Sequence, residues 1–305
     1  MSTRIRGVLA PVVTPFKEDL SPDSGRFVAH CRWLLSQNAG LAFFGTNSEA
    51  NSLSLAERLG LMDALFDAGL PPSRMMPGVG CCAFPDTVEL ARKAVAAGCA
   101  GVLMLPPFFY KNFTDDGLFR SYSEIIQRVG DARLRVYLYH IPPVSQVPLG
   151  AALIERLLAA YPKTIAGIKD SSGDWKHTAM LLEKFQSEDF DVFCGSEVFL
   201  LQTLRGGGAG SITATGNVNP AMIHGLYARW RDADADSAQE RITTIRRAFE
   251  TLPTIAAMKC AIAWKRSDPP WREVRPPLMA IPAGQARALE ERLAALGFDM
   301  PGIDN

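Results

Sequence analysis

Short, nearly uninterrupted apolar runs alternate along the chain with longer stretches whose apolar residues recur every three and four positions. Eight runs have β character: residues 7–13, 41–45, 75–80, 101–105, 134–139, 165–169, 191–195 and 211–215. Strands that read as continuous apolar segments are those buried on both faces, as in parallel sheets. The intervening stretches, 25–37, 55–66, 86–97, 116–128, 151–160, 175–185 and 198–204, are amphipathic. Leu55, Leu59, Leu61 and Leu65 illustrate the helical period. Eight such alternations predict an α/β chain, a (β/α)8 TIM barrel over residues 1–232. An open doubly wound sheet is the alternative, because periodicity does not report closure. From Ser237 onward the strand signal stops. Residues 238–251, 255–265 and 283–296 read as helices, divided by Pro253 and the proline-rich 268–277. Residues 233–305 are therefore expected to form a C-terminal helical extension packed on the barrel. The acidic stretch 231–236 reads as a solvated helix end.

Composition narrows the function. In 305 residues, 32 Lys and Arg balance 32 Asp and Glu. A nucleic-acid binder would carry a basic stripe, so polyanion partners are not expected, although a local charged pocket leaves no mark on the total. No apolar run approaches the roughly 18 residues a membrane span requires. Pro11 and Pro15 interrupt anything like a leader segment. The expectation is a cytoplasmic protein with no membrane partner. Six cysteines are scattered, with no C-x-x-C or H-E-x-x-H, so they read as buried thiols without metal or redox work.

Barrel chemistry belongs at the C-terminal ends of strands. Lys169 follows the apolar Ile165-Ala166-Gly167-Ile168, which would deliver its amine to the barrel mouth with little water around the stem. Desolvation disfavours the ammonium form, and a neutral amine is what Schiff-base formation with a ketone requires. A structural role, paired with Asp170, is the competing reading. Tyr139 ends the preceding strand, about 4.8 Å away in a parallel sheet, where its phenol would shuttle protons. The competing role is a core tyrosine. Pro142 and Pro143 then discourage helix until Leu149. The loop Gly45-Thr46-Asn47-Ser48-Glu49 offers hydroxyls and backbone N–H groups to a small carboxylate, with helix capping left to Ser54 and Glu57. Two glycine patterns are discounted as nucleotide sites. Gly78-x-Gly80-x-x-Ala83 lacks a downstream acid, and residues 206–210 lack the Lys-Ser/Thr of a P-loop. Of the histidines only His140 ends a strand; His30, His177 and His224 read as structural or surface residues.

Together these residues resemble the dihydrodipicolinate synthase / N-acetylneuraminate lyase family of pyruvate-handling class I aldolases. The matching motifs are Gly7-Val8-Leu9-Ala10-Pro11-Val12-Val13-Thr14-Pro15-Phe16, Gly45-Thr46-Asn47-Ser48-Glu49-Ala50, Tyr139-His140-Ile141-Pro142, Gly167-Ile168-Lys169-Asp170-Ser171-Ser172-Gly173 and Val274-Arg275-Pro276-Pro277-Leu278. The resemblance implies an imine between Lys169 and pyruvate or another 2-oxo acid, with Tyr139 as proton relay and no separate cofactor. It implies Thr46 and Asn47 on the carboxylate, Gly195 and Ile212 lining the pocket, and Glu197 near the distal part of the substrate. It also implies a homotetramer built as a dimer of dimers. Two departures weigh against the synthase. Where the synthases carry an arginine for the second substrate this chain has Val144, and where they carry a relay tyrosine it has Phe109, with Tyr110 one residue late. Ser145, Gln146, Phe108 and Tyr110 are further candidates for the outer pocket. The expected function is an aldolase or lyase on a 2-oxo sugar acid. A 2-oxo-acid dehydratase and the synthase itself are the alternatives, and a silent 2-oxo-acid-binding member is the non-enzymatic one.

Overall fold

The computed structural model describes residues 4–187 and 189–303. Its strands are β1 (Gly7–Ala10), β2 (Gly40–Leu41), β3 (Val102–Met104), β4 (Val136–His140), β5 (Ile165–Asp170), β6 (Asp191–Cys194) and β7 (Gly210–Ile212). The helices are α1 (Ser24–Ser36), α2 (Leu55–Asp67), α3 (Phe84–Ala97), α4 (Asp115–Val129), α5 (Pro142–Ser145), α6 (Ala151–Ala160), α7 (Trp175–Phe185), α8 (Leu200–Arg205), α9 (Pro220–Arg229), α10 (Ala235–Glu250), α11 (Thr254–Arg266) and α12 (Ala283–Ala295). None of them is long and apolar enough to cross a membrane. The chain divides into two compact units. One comprises the residues up to Arg6 with Pro71–Ile212, the other Gly7–Leu70 with Thr213–Asn305.

In the first unit five strands run parallel in the order β3-β4-β5-β6-β7. Their residues are buried throughout, as continuous apolar runs require. Tyr137 on β4 fills space that Gly167 on β5 leaves open. A Cβ at Gly167 would stand 2.7 Å from the tyrosine ring. Asp191, the first residue of β6 and fully buried, is neutralised by Arg4 at 3.2 Å and Arg6 at 2.9 Å.

Seven of the eight expected runs contain strands among the described residues. Residues 75–80 do not; they make one parallel bridge, Gly78 to Leu103. Pro77 has no N–H to offer a ladder, and Gly80 lies so close to Leu105 that a Cβ there would meet its carbonyl oxygen at 2.5 Å. The expected strand 41–45 shortens to β2 because Phe44 takes a left-handed conformation, φ 64°. The expectation of no helix after Pro142 fails too. Both prolines occupy the first turn of α5, where helical N–H groups are unpaired anyway, and Ser145 N–H bonds to the Ile141 carbonyl at 2.9 Å.

In the second unit β1 and β2 pair in parallel, Leu9 opposite Gly40 and Ala10 opposite Leu41. Helices α1, α2 and α9–α12 pack in the same unit, around a core that includes Phe27, Phe43, Phe249 and Trp271. α9, which lies outside the amphipathic stretches set out above and carries His224, starts at Pro220. The expected cap of α2 forms as a reciprocal box, Ser54 Oγ accepting from Glu57 N–H at 3.2 Å and Glu57 accepting from Ser54 N–H at 2.8 Å. The fully buried Asn217 acts as a splint. Its Oδ1 accepts from Val13 N–H at 2.9 Å, and its amide donates to the carbonyls of Pro11 at 3.0 Å and Ala214 at 2.9 Å.

Candidate active site

Parallel pairing of β4 with β5 sets Tyr139 opposite Lys169. Because side chains alternate along a strand, both project to one face, with Tyr137 and Gly167 behind them on that face. The lysine amine lies over the tyrosine ring, 4.3 Å from its centroid. Lys169 is 2% exposed and Tyr139 3%. Among the described residues no carboxylate pairs with Lys169. Asp170, the partner that a structural lysine would use, points to the other face and is engaged there. It accepts from Thr178 Oγ1 at 2.6 Å and Ser172 N–H at 3.0 Å, and lies 3.1 Å from His177 Nδ1.

Gly195 follows β6, and its N–H bonds to the Asp170 carbonyl at 2.6 Å. A Cβ there would run into Ser171 Oγ and stand 2.7 Å from that carbonyl, so only glycine fits. Ile212 ends β7, fully buried. Glu197 opens a turn of 3-10 helix, Glu197–Phe199, and is also fully buried. The Ser145 hydroxyl is committed to its own turn, donating to the Ile141 carbonyl at 3.0 Å and accepting from Val147 N–H at 3.1 Å. Tyr110 is 79% exposed, its ring edge-on to Phe109 at 5.4 Å. The adjacent Lys111 donates to the Ser145 carbonyl at 2.9 Å, which ties the aromatic loop to α5.

Thr46 and Asn47 belong to the second unit. They open the 3-10 turn Thr46–Ser48, both part-exposed, while Ser48 and Glu49 behind them are buried. Thr14 Oγ1 donates to the Ser48 carbonyl at 2.7 Å. Glu49, in a left-handed conformation with φ 54°, ends the turn and sends its carboxylate inward. One oxygen meets Lys259 Nζ at 2.5 Å, and the other accepts Arg275 N–H at 2.9 Å. Both side chains of the Glu49–Lys259 pair are fully buried. Lys259 also donates to the Glu273 carbonyl at 2.7 Å. Burial pushes its amine down to about 8 against the opposing pull of Glu49. The Arg275 guanidinium holds Glu57 and the carbonyls of Ser52 and Leu20.

A model of the dihydrodipicolinate synthetase family matches residues 4–296. The chain belongs to that family. An uncharacterized DapA-like lyase of Chloroflexus aurantiacus is 32% identical over 296 residues, 95% of this chain and 97% of that one. The crystal structure of dihydrodipicolinate synthase from Agrobacterium tumefaciens superposes with a TM-score of 0.87 at 32% identity, covering 96% of this chain and 99% of that one. YagE, a prophage protein of the dihydrodipicolinic acid synthase family from Escherichia coli K12 solved in complex with pyruvate, gives 0.87 at 27% identity, over 97% and 100%.

Within this dihydrodipicolinate synthetase family chain, two buried polar clusters escaped the sequence reading. The Glu49–Lys259 pair spans 210 positions, beyond the reach of any local pattern. Its signal was Lys259 alone in the apolar Ala256-Ala257-Met258-Lys259-Cys260-Ala261-Ile262-Ala263, because a charge buried on such a helix needs a partner. The second cluster joins His140 and Asp170 to His177, a histidine expected to be merely structural or superficial.

Proposed function

We propose that this protein is a Schiff-base-forming lyase of the aldolase type, acting on pyruvate or a 2-oxo sugar acid, with the imine at Lys169. The observation that carries the reading is the buried Lys169 amine over the Tyr139 ring, without a carboxylate partner among the described residues. Family membership and the pyruvate held by YagE support it. The amine adds to the keto carbon and the resulting carbinolamine loses water. Tyr139 passes the proton to the departing hydroxyl and later takes the proton of the substrate's C4 hydroxyl as the C3–C4 bond breaks. The bond's electron pair enters the imine as an enamine, which is protonated and hydrolysed to pyruvate.

In this reading Thr46 and Asn47 bind the carboxylate, Gly195 and Ile212 shape the pocket, and Glu197 addresses the distal hydroxyls, with Tyr110 and Ser145 at its rim. The reaction needs no cofactor beyond the imine. The frame in this reading is a (β/α)8 barrel over residues 1–232, with the run 75–80 taking part through its Gly78–Leu103 bridge, and residues 233–305 are its helical supplement. The working assembly is a cytoplasmic homotetramer. Cleavage is favoured over synthase chemistry because Val144, 61% exposed, offers nothing to a second carboxylate, and Phe109 has no proton to relay.

The test is reduction with borohydride in the presence of pyruvate, followed by mass spectrometry of the intact chain and of Lys169→Ala. One pyruvyl group per chain, lost in the variant, is expected; no adduct on the unaltered chain overturns the proposal. Coupled detection of pyruvate across a panel of 2-oxo sugar acids then names the substrate. Robust turnover of pyruvate with aspartate semialdehyde would instead make it the synthase.

A further inference from the structure

Directly behind Tyr139 and Lys169, on the opposite face of the same two strands, lie His140 and Asp170, register partners in β4 and β5. His177 reaches them from the first turn of α7, and one ligand atom from each of the three falls within 4.8 Å of the others. His140 and Asp170 are each 3% exposed. The two imidazoles stack, centroids 4.3 Å apart and planes 11° from parallel.

Such a set invites a metal ion, but two features oppose one. The Leu149 N–H donates to His140 Nδ1 at 3.0 Å, so the lone pair of that nitrogen is used and the ring's proton resides on Nε2. A cation on Nε2 would force a proton onto Nδ1, facing the Leu149 N–H. The in-plane lone pairs of two parallel rings, moreover, do not converge on one point.

The cluster is instead arranged to hold one positive charge. Burial raises the Asp170 carboxyl, but the adjacent His177 ring and the Thr178 hydroxyl outweigh it and hold the group below its usual range. Asp170, 3.1 Å from its Nδ1, raises His177 against its own desolvation. Burial, and then the charge on His177, push His140 down to about 4. The other groups facing the pair are Asp174, which caps α7, and Cys194 on β6, whose buried thiol is pushed up to about 12 and stays neutral.

We propose that the charged His177–Asp170 pair is a positioning group for Lys169 and Tyr139, clamping α7 to the ends of the two strands that present them. The inference rests on the Schiff-base reading of Lys169. Neighbouring hydrogen bonds fit the clamp: Ser171 N–H to the His140 carbonyl at 2.7 Å, and Gly195 N–H to the Asp170 carbonyl at 2.6 Å. Because the folded state raises His177, the clamp is complete below the ordinary imidazole range. It is lost as pH rises through the higher folded value.

The test measures the rate of pyruvyl adduct formation with cyanoborohydride from about pH 6 to about pH 9, across the histidine range. It compares the unaltered chain with His177→Gln, whose amide donates to Asp170 without titrating, and His177→Leu, which cannot donate. The Leu variant is expected to lose about tenfold in rate at neutral pH with little change in KM, as misplacement of a nucleophile does. The Gln variant should recover most of that loss, and its rate relative to the unaltered chain should rise as His177 deprotonates. Histidine NMR on the same folded samples should show His177 titrating above His140. A Gln variant with an unchanged pH profile overturns the clamp alone. So does zinc at one equivalent moving the His140 and His177 signals together. Absence of any adduct on the unaltered chain overturns the Schiff-base reading itself, and the clamp with it.

Discussion

Lys169 and Lys259 are both nearly sealed from water, at 2% and 0% exposed, yet their surroundings are opposite. Lys259 sits against the carboxylate of Glu49, donates to a backbone carbonyl and lies 4.4 Å from the centre of the Phe16 ring. Every bond its amine makes is internal and structural. Lys169 has the aromatic face and, among the described residues, no carboxylate; the neighbouring acid is kept on the far side of the strand by Thr178, Ser172 and His177. Burial by itself therefore does not mark a reactive amine. What distinguishes the two is whether the fold has answered the charge. The answered lysine is spent on architecture, here the turn that carries Thr46 and Asn47. In the proposed reading the other is left for the ketone.

The comparison is broken most directly by exchanging each lysine for methionine, which conserves length and removes the charge. Lys169→Met is expected to reduce adduct formation and pyruvate release to background while the melting temperature holds or rises, since no ion pair is lost. Mass spectrometry and a thermal melt on one preparation check both halves, and a surviving adduct would sink the assignment. Tyr139→Phe keeps the ring under the amine and removes only the hydroxyl. Turnover should drop by about 10² to 10⁴, the usual worth of a positioned acid–base group, with KM nearly constant in steady-state kinetics.

Lys259→Met should move stability instead, by about 3–5 kcal/mol in denaturant titration, because Glu49 is left buried and uncompensated. Adding Glu49→Gln should restore part of that loss, and a melt as stable as the unaltered chain would refute the contrast. The smallest change is Gly195→Ala, which pushes on Ser171 and the end of β5 at a cost of about 1–3 kcal/mol. It should slow adduct formation without abolishing it.

Lys169 was legible in the sequence as a candidate because the features that mark it are local. The apolar run that precedes Lys169 marks a buried strand, and Tyr139 ends the run before it. The boundaries of α6 and α7 were equally plain, both matching the amphipathic stretches residue for residue. The answered lysine was not legible, since Glu49 and Lys259 meet only after more than two hundred residues have folded between them. His140 was noticed for ending a strand, but being one residue past Tyr139 sends it to the opposite face, where His177 waits on a helix. Strand lengths were overestimated at residues 41–45 and 75–80 for a different reason. Apolar content reports burial, whereas Phe44 and Pro77 decide whether the backbone can pair.

The Asn217 splint carries a consequence for the chemical lifetime of the protein. Asparagine ages by attack of the next residue's backbone nitrogen on the side-chain amide. Here the Val218 N–H is held by the Thr215 carbonyl at 3.0 Å, and both amide atoms of Asn217 are engaged. Conversion to aspartate would turn two hydrogen-bond donors into acceptors facing the carbonyls of Pro11 and Ala214. The same contacts that join two distant stretches of chain therefore slow the reaction that would part them, and prolonged warm storage should leave this asparagine intact longer than those exposed to solvent.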